Sequence, residues 1–256
     1  MRAIILAAGR GSRMKEKTDV LPKCLTEIWG KPLLSWQIEA IRKVGIKDVA
    51  VVTGYHANEI ISRYPDIHYF HNAEWDKTNM VSTLTCAEKW LLEDDCVVSY
   101  SDIVYKSKAI QLLMDDSSDF AITYYTEFAE LWKRRFDNPL DDVESFKINQ
   151  DGFITEIGLK ANSLEEIEGQ YMGLLKFTPR IWKKISTLMD ERMPRPLAKM
   201  DMTSLLEYLI NQDVEIKGVP YSDLWLEVDS QSDLKYYQDI EVPDIQNEFN
   251  GALFLE

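Results

Sequence analysis

Short unbroken apolar runs alternate along the chain with segments whose apolar residues recur at helical spacing. Arg2 to Ala7 is the first such run, and Gly9 and Gly11 follow it, the pattern of a buried central strand feeding a glycine-bearing loop. From Leu33 to Val44 the residues Leu33, Leu34, Trp36, Ile38, Ile41 and Val44 fall mostly on one helical face, and Gly45 supplies a stop. Asp48 to Thr53 reads as the next strand. The alternation continues with a helix over Ala57 to Arg63, a strand over Ile67 to His71, a helix over Met80 to Leu92 and a strand over Cys96 to Tyr100. Strands and helices in turn predict an α/β fold with a Rossmann-like, mainly parallel sheet flanked by helices.

The C-terminal half reads differently. Val143 to Asn149 and Phe153 to Lys160 are strand-like with the hairpin signal Asp151-Gly152 between them, so antiparallel strands are expected to join the sheet. Gln170 to Phe177 reads as a further strand, Arg180 to Met189 as a helix, and Met193 to Met200, with Pro194 and Pro196, as a surface loop. Asp201 caps a predicted helix that continues through Leu205 to Ile210. Val214 to Val219 and Trp225 to Val228 are late strands, and Asp229 with Ser230 opens a terminal helix to Asp239. At 256 residues the chain suits a single domain over 1–240, its pattern changing near 118, with an unpatterned tail over 241–256.

Charge and cysteine usage narrow the partners. The chain has 29 basic and 43 acidic residues, a net charge of −14, which argues against nucleic acid and anionic membranes as partners. Glu93-Asp94-Asp95 and Asp115-Asp116 read as solvated surface. Cys24, Cys86 and Cys96 are odd in number and lack Cys-x-x-Cys spacing, which suits a reducing compartment. The run Ala3 to Ala8 is shorter than the ~7–15 residues of a signal h-region, and no segment approaches the ~20 that span a bilayer, so a cytoplasmic chain is expected. His56, His68 and His71 make no helical metal-ligand pair, so zinc is not expected.

The stretch Leu6-Ala7-Ala8-Gly9-Arg10-Gly11-Ser12-Arg13-Met14, followed by Leu21-Pro22-Lys23, carries the clearest chemistry. Small residues let the backbone approach a phosphate, and successive N–H groups form an anion nest. Gly9 and Gly11 match two glycines of a dinucleotide fingerprint, but Met14 stands where the third belongs and no acidic residue ends the second strand, which weakens a nicotinamide reading. No Walker A string occurs. On spacing alone a plain tight turn is as good a reading; Arg13 and Lys23 favour phosphates, because a turn needs no cations and a triphosphate does. Asp102 follows the strand ending at Tyr100, and Asp229 ends the strand Trp225 to Val228. Two carboxylates at strand ends can share a crevice and hold Mg²⁺, although for a random pair a turn residue at Asp102 and a helix cap at Asp229 are the favoured readings. Glu227 alternates with Trp225 and Asp229, either assisting them or lying on a solvated edge. No nucleophilic Ser, Cys or Thr has a local signature, so direct displacement is expected rather than a covalent intermediate.

These residues carry a family resemblance. Leu6 to Arg13 with Leu21-Pro22-Lys23 resembles the signature of nucleotidyltransferases that activate sugar phosphates and phospho-alcohols. Thr78-Asn79-Met80-Val81-Ser82, Ser99 to Tyr105, Ile167 to Leu174 and Trp225 to Asp229 resemble the bacterial phosphocholine cytidylyltransferase-like branch. The resemblance implies a Mg²⁺-dependent cytidylyltransferase that uses CTP and a small phosphorylated or phosphonate acceptor. It implies that Leu6, Ala7, Ala8, Gly9, Gly11, Ser12, Asn79 and Ser82 bind the nucleotide, that Arg13 contacts the leaving pyrophosphate and Lys23 the α-phosphate, and that Asp102 and Asp229 bind the metal. Residues to about 118 would then serve the nucleotide and those from about 119 to 240 the acceptor. Lys160 resembles a lysine on the acceptor's phosphate; the alternative is an exposed strand-end lysine. Gln170 and Tyr171 fall in the acceptor-side motif, and Arg135 is the next candidate for the acceptor phosphate. Tyr124, Tyr125, Trp132, Tyr171 and Trp225 can wall a cationic head group or simply be core. Arg134-Arg135-Phe136-Asp137 offers both charge signs, which keeps a zwitterionic phospho-amine or aminoalkylphosphonate open beside phosphocholine. A sugar-1-phosphate nucleotidyltransferase using another nucleotide, a non-catalytic nucleotide sensor and a homo-oligomeric state also stay open.

Overall fold

The computed structural model describes residues 1–18, 21–192 and 196–239. Seven strands form the central sheet: β1 (Arg2–Ala7), β4 (Val49–Thr53), β5 (His68–His71), β6 (Cys96–Tyr100), β8 (Phe120–Tyr125), β11 (Gln170–Phe177) and β12 (Lys217–Tyr221). Their order is β12-β8-β11-β6-β1-β4-β5. Every neighbouring pair is parallel except those made by β11, which runs antiparallel to both β6 and β8. Two-stranded ribbons are formed by β2 (Glu27–Ile28) with β3 (Lys31–Pro32), β7 (Ile103–Tyr105) with β13 (Trp225–Glu227), and β9 (Glu144–Ile148) with β10 (Ile154–Lys160). The helices are α1 (Leu33–Lys43), α2 (Ala57–Arg63), α3 (Met80–Thr85), α4 (Glu88–Glu93), α5 (Ser107–Asp115), α6 (Phe128–Arg135), α7 (Pro179–Arg192), α8 (Met202–Ile210) and α9 (Gln231–Asp239). Among the described residues no helix is long and apolar enough to cross a membrane.

The apolar run of β1 is central because Ala3 to Ala7 are all at most 5% exposed and pair on both sides. The face of α1 buries Leu33, Leu34, Trp36, Ile38 and Ile41, and one polar residue, Gln37, shares it without a buried orphan. Its amide donates to the Ile103 carbonyl at 2.7 Å and accepts from Ser99 Oγ at 3.3 Å, tying α1 to β6 and β7. The helix stops at Gly45, whose positive φ of 87° a β-carbon would strain.

Two expectations change. The helix predicted over Met80 to Leu92 is divided at Cys86 and Ala87 into α3 and α4. Thr85 Oγ1 and Cys86 Sγ both donate back to the Ser82 carbonyl, and the Ala87 N–H bonds to Leu84, so local side-chain bonds and a tightened turn compete with the regular ladder. The hairpin forms about Asp151-Gly152 as predicted, but among the described residues β9 and β10 pair as strands with each other, and an isolated bridge, Phe153 to Lys217, links the hairpin to the sheet edge. Phe146 turns inward onto Tyr124, at 4.9 Å between ring centroids, and folds the hairpin across the sheet instead of extending it. It is β11 that supplies the antiparallel strand. The tail 241–256 and positions 193–195 of the predicted Met193–Met200 loop lie outside the described residues.

Candidate active site

The glycine loop leaves β1 at its carboxyl end. Leu6, Ala7 and Ala8 are buried and offer only backbone, whereas Gly9 and Ser12 are exposed. Gly11 has φ +68°, a left-handed conformation that suits glycine. Its carbonyl accepts from the Met14 N–H at 3.0 Å and from Thr18 Oγ1 at 3.2 Å, and Met14, fully buried, pins the following 3₁₀ turn to the core.

Lys23 lies in a second short turn, its side chain only 9% exposed. Its ammonium donates to Asp102 Oδ2 and to Asp229 Oδ1, both at 2.7 Å. These carboxylates meet because β7 pairs with β13, setting Glu227 opposite Ile103, and the Val228 N–H donates to the Asp102 carbonyl at 2.9 Å. Burial works against the Lys23 charge, but Asp102 and Asp229 override it and hold the ammonium above the ordinary lysine range. Arg13, 68% exposed, reaches Asp229 Oδ1 at 3.0 Å.

Glu227 joins this group. One oxygen of each of Asp102, Glu227 and Asp229 lies within 4.8 Å of the others. Burial, then the charges of Asp229 and Asp102, push the Glu227 carboxyl up to about 8 against the opposing pull of Arg135 and Lys23. Asp102 Oδ1 is buried with no hydrogen-bond partner. Convergent carboxylate oxygens with one orphaned atom fit a hard divalent cation such as Mg²⁺. Asp229 does not cap α9. Ser230 and Asp233 form a reciprocal capping box there, the Asp233 N–H donating to Ser230 Oγ at 3.1 Å and the Ser230 N–H to Asp233 Oδ2 at 2.9 Å, so Asp229 is free to face Lys23.

Beside the carboxylates opens a cavity of about 270 Å³ whose lining includes Arg13, Glu227 and Asp229. Tyr100, Trp132, Phe146 and Tyr171 contribute aromatic surface, and Asp142, Glu144 and Asp201 contribute acids. Burial, then Asp201 and Asp142, raises the Glu144 carboxyl above its usual range. Gln170 fixes the Glu144 backbone, its amide donating to that carbonyl at 2.6 Å. Of the aromatic residues singled out in the sequence, Trp132 and Tyr171 line the cavity, while Trp225 stacks behind Trp132 at 5.8 Å.

The remaining predicted residues lie outside the lining of this cavity. Asn79 Oδ1 accepts from the Met80 N–H at 2.8 Å and Ser82 Oγ donates to the Leu197 carbonyl at 3.2 Å, so both have structural partners, and Met80 rather than either lines the cavity. Lys160, expected at the acceptor phosphate, is exposed at the end of β10 and borders an adjoining hollow that shares only Asp142 and Glu144 with the main cavity. Arg135, expected as an alternative phosphate ligand, has a fully buried side chain bound to Asp233, Glu227 and Asp229, so it offers an acceptor no surface. Sequence reasoning missed the acidic trio. Its one available signal was Asp201 at a helix start.

A mainly parallel sheet with a glycine loop at the end of its first strand, and a lysine held between strand-end carboxylates beside a cavity, is an arrangement suited to nucleotidyl transfer. The model of the MobA-like NTP transferase domain matches residues 3–199, and the chain belongs to that family. It is 39% identical over 251 residues to the CTP:phosphoglutamine cytidylyltransferase of Campylobacter jejuni, covering 92% of this chain and 98% of that protein. Its fold is similar to the inositol-1-phosphate CTP transferase of T. maritima, with TM-score 0.74 and 17% identity over 98% of this chain and 96% of that one. The CTP:phosphocholine cytidylyltransferase of Streptococcus pneumoniae is also similar, with TM-score 0.67 and 16% identity over 93% and 97% of the two chains.

Proposed function

We propose that this nucleotidyltransferase transfers CMP from CTP to a small phosphorylated acceptor that carries an ammonium group, in a Mg²⁺-dependent reaction. The observation that carries the reading is the composition of the cavity: Arg13, with Glu227 and Asp229 of the carboxylate cluster, lines the same space as Asp142, Glu144 and Asp201. An acceptor that carries both a phosphate and an ammonium group matches a lining that holds a cation and acids together. The relative from Campylobacter jejuni, named for a phosphorylated amino acid, supports an acceptor of this charge pattern.

In the reaction an oxygen of the acceptor phosphate attacks the α-phosphorus of CTP. A new P–O bond forms, the bond to the β-phosphate oxygen breaks, and pyrophosphate leaves. The attacking oxygen is already ionised, because the second pKa of a phosphate monoester is ~6, so no general base is needed. Lys23 and Arg13 lower the repulsion between the two anions and hold them in line, and the loop backbone around Gly9 and Gly11 cradles the triphosphate. Asp102, Glu227 and Asp229 would hold Mg²⁺, which supplies charge stabilisation on the phosphate oxygens.

Pyrophosphate release measured with CTP, UTP, dTTP and GTP against a panel of phosphorylated amines and sugar phosphates tests the reading. CTP is expected to exceed UTP by at least about tenfold, a discrimination of ~1.4 kcal/mol. Equal use of UTP, or turnover with sugar 1-phosphates alone, would move the protein to the sugar-nucleotide class.

A further inference from the structure

Arg135 ends α6 and is one of the most enclosed cations among the described residues, its side chain 0% exposed. Its guanidinium carbon lies 5.2 Å from the ring centroid of Trp132 and 5.1 Å from that of Phe136, so aromatic surface packs around the charge. The edge of the plane meets acids. Nε donates to Asp233 Oδ1 at 3.0 Å, Nη2 to Asp233 Oδ2 at 3.4 Å, and Nη1 to Glu227 Oε2 at 3.3 Å. Nη2 also stands 3.9 Å from Asp229 Oδ2.

Asp229 is thereby divided between two tasks. Its Oδ2 faces Arg135, while its Oδ1 faces Lys23 at 2.7 Å and Arg13 at 3.0 Å. Asp233, the bidentate partner of Arg135, accepts from the backbone N–H groups of Asp229 at 3.1 Å and Ser230 at 2.9 Å through Oδ2. The guanidinium therefore holds the Asp229 side chain directly and its backbone through Asp233. It also fixes Glu227, two residues earlier on β13.

We infer that Arg135 is a positioning residue, fixing Asp229 and Glu227 in the orientation that binds the divalent cation. It touches no reacting group, since nothing of its side chain is exposed. The planar fork is what the task needs: one guanidinium bonds Glu227 on β13 and Asp233 on α9 and stands within ion-pair distance of Asp229 between them, which a single ammonium point charge cannot do at the same distances. Trp132, one turn earlier on α6, lines the acceptor cavity, so the same helix carries both the carboxylate anchor and a cavity wall. The inference rests on the proposed reading that Asp102, Glu227 and Asp229 hold a metal.

Mn²⁺ titration followed by electron paramagnetic resonance, on the full chain with a non-hydrolysable CTP analogue, separates a positioning role of Arg135 from a merely structural one. Wild type is expected to bind Mn²⁺, and Arg135→Lys and Asp233→Asn to bind it at least about tenfold more weakly, the lower end of what losing an outer-shell partner costs a metal site. In steady-state kinetics both variants should need more Mg²⁺ for half-maximal rate and lose kcat, with acceptor KM changed by less than about twofold. Thermal unfolding would accompany each measurement. A lowered melting temperature with unchanged Mn²⁺ affinity and Mg²⁺ requirement would reduce Arg135 to a structural residue and overturn the inference. A raised acceptor KM with unchanged Mn²⁺ affinity would overturn it in favour of direct acceptor contact. Wild type that binds no Mn²⁺ beside the analogue would sink the metal reading itself, and the positioning role with it.

Discussion

Gly11 and Lys23 pack so closely that a β-carbon on the glycine would lie 2.8 Å from the β-carbon of the lysine. The loop and the lysine are thus a single unit, and the glycine is required by contact as well as by its φ of +68°. Gly11→Ala is expected to cost ~1–2 kcal/mol in backbone strain alone, with a fall in melting temperature of roughly 3–6 °C and displacement of Lys23. A β-carbon on Gly9 meets nothing within 4 Å. Gly9→Ala should therefore melt like wild type, and if the open space receives a phosphate it should raise KM for CTP. Melting curves and CTP kinetics of the two variants decide; equal loss of stability in both would refute the division.

Lys23 neutralises two carboxylates at once, so its removal should be worse for the fold than removal of either one. Lys23→Met leaves Asp102 and Asp229 facing each other without it, and breaking such an enclosed pair costs about 3–5 kcal/mol. Asp102→Asn keeps Lys23 paired with Asp229 and should destabilise far less, while still lowering turnover at least about a hundredfold if the metal role holds. The double variant should be less unstable than the sum of the singles. Denaturant unfolding of wild type and the three variants measures the coupling, and strict additivity would show that the ion pair contributes nothing.

Much of the fold is legible because β1, β4 and β6 are short apolar runs, and a buried parallel strand needs little else. The division of Met80 to Leu92 is not, since Thr85 and Cys86 read as ordinary helix residues until their side chains are seen bonded to the Ser82 carbonyl. No element is predicted between Tyr100 and Val143, where the structure has β7, α5, β8 and α6. In α6 the buried apolar residues are Phe128 and Trp132, too few to mark a face, and three basic residues end it. At the site, Arg13, Lys23, Asp102 and Asp229 converge as local motifs suggest. Arg135 is misread because its acid partners lie 92 to 98 residues downstream. Glu227 joins the carboxylates only through the pairing of β13 with β7, a contact that alternation along one strand cannot reveal.

The raised Glu227 carboxyl predicts a pH dependence in metal-free protein. Its folded value of about 8 lies above the ordinary 4.5, so between these values the folded chain holds more proton than the unfolded one. Stability then falls as pH rises through that window. Melting temperature measured in chelator from pH 5 to pH 8 should decline more steeply for wild type than for Glu227→Gln, which cannot ionise. Parallel curves would mean that Glu227 titrates normally.

The acids of the cavity can be tested without disturbing the fold. Asp201 Oδ1 accepts from the Ser204 N–H at 2.8 Å and so caps α8, and asparagine caps a helix about as well as aspartate. Asp201→Asn therefore removes charge from the cavity wall while leaving the cap in place, and Glu144→Gln does the same without changing side-chain length. Both should melt within a few degrees of wild type yet raise KM for an ammonium-bearing acceptor by about tenfold, the equivalent of one charge-assisted contact of ~1.4 kcal/mol. An acceptor of the same size lacking the cation should be indifferent to either change. Lys160→Ala serves as the contrast: exposed on the adjoining hollow, it should move acceptor KM by less than about twofold. If Lys160→Ala raised that KM while Glu144→Gln and Asp201→Asn did not, the acceptor would bind along the outer face of the hairpin, and the cavity would lose its assignment.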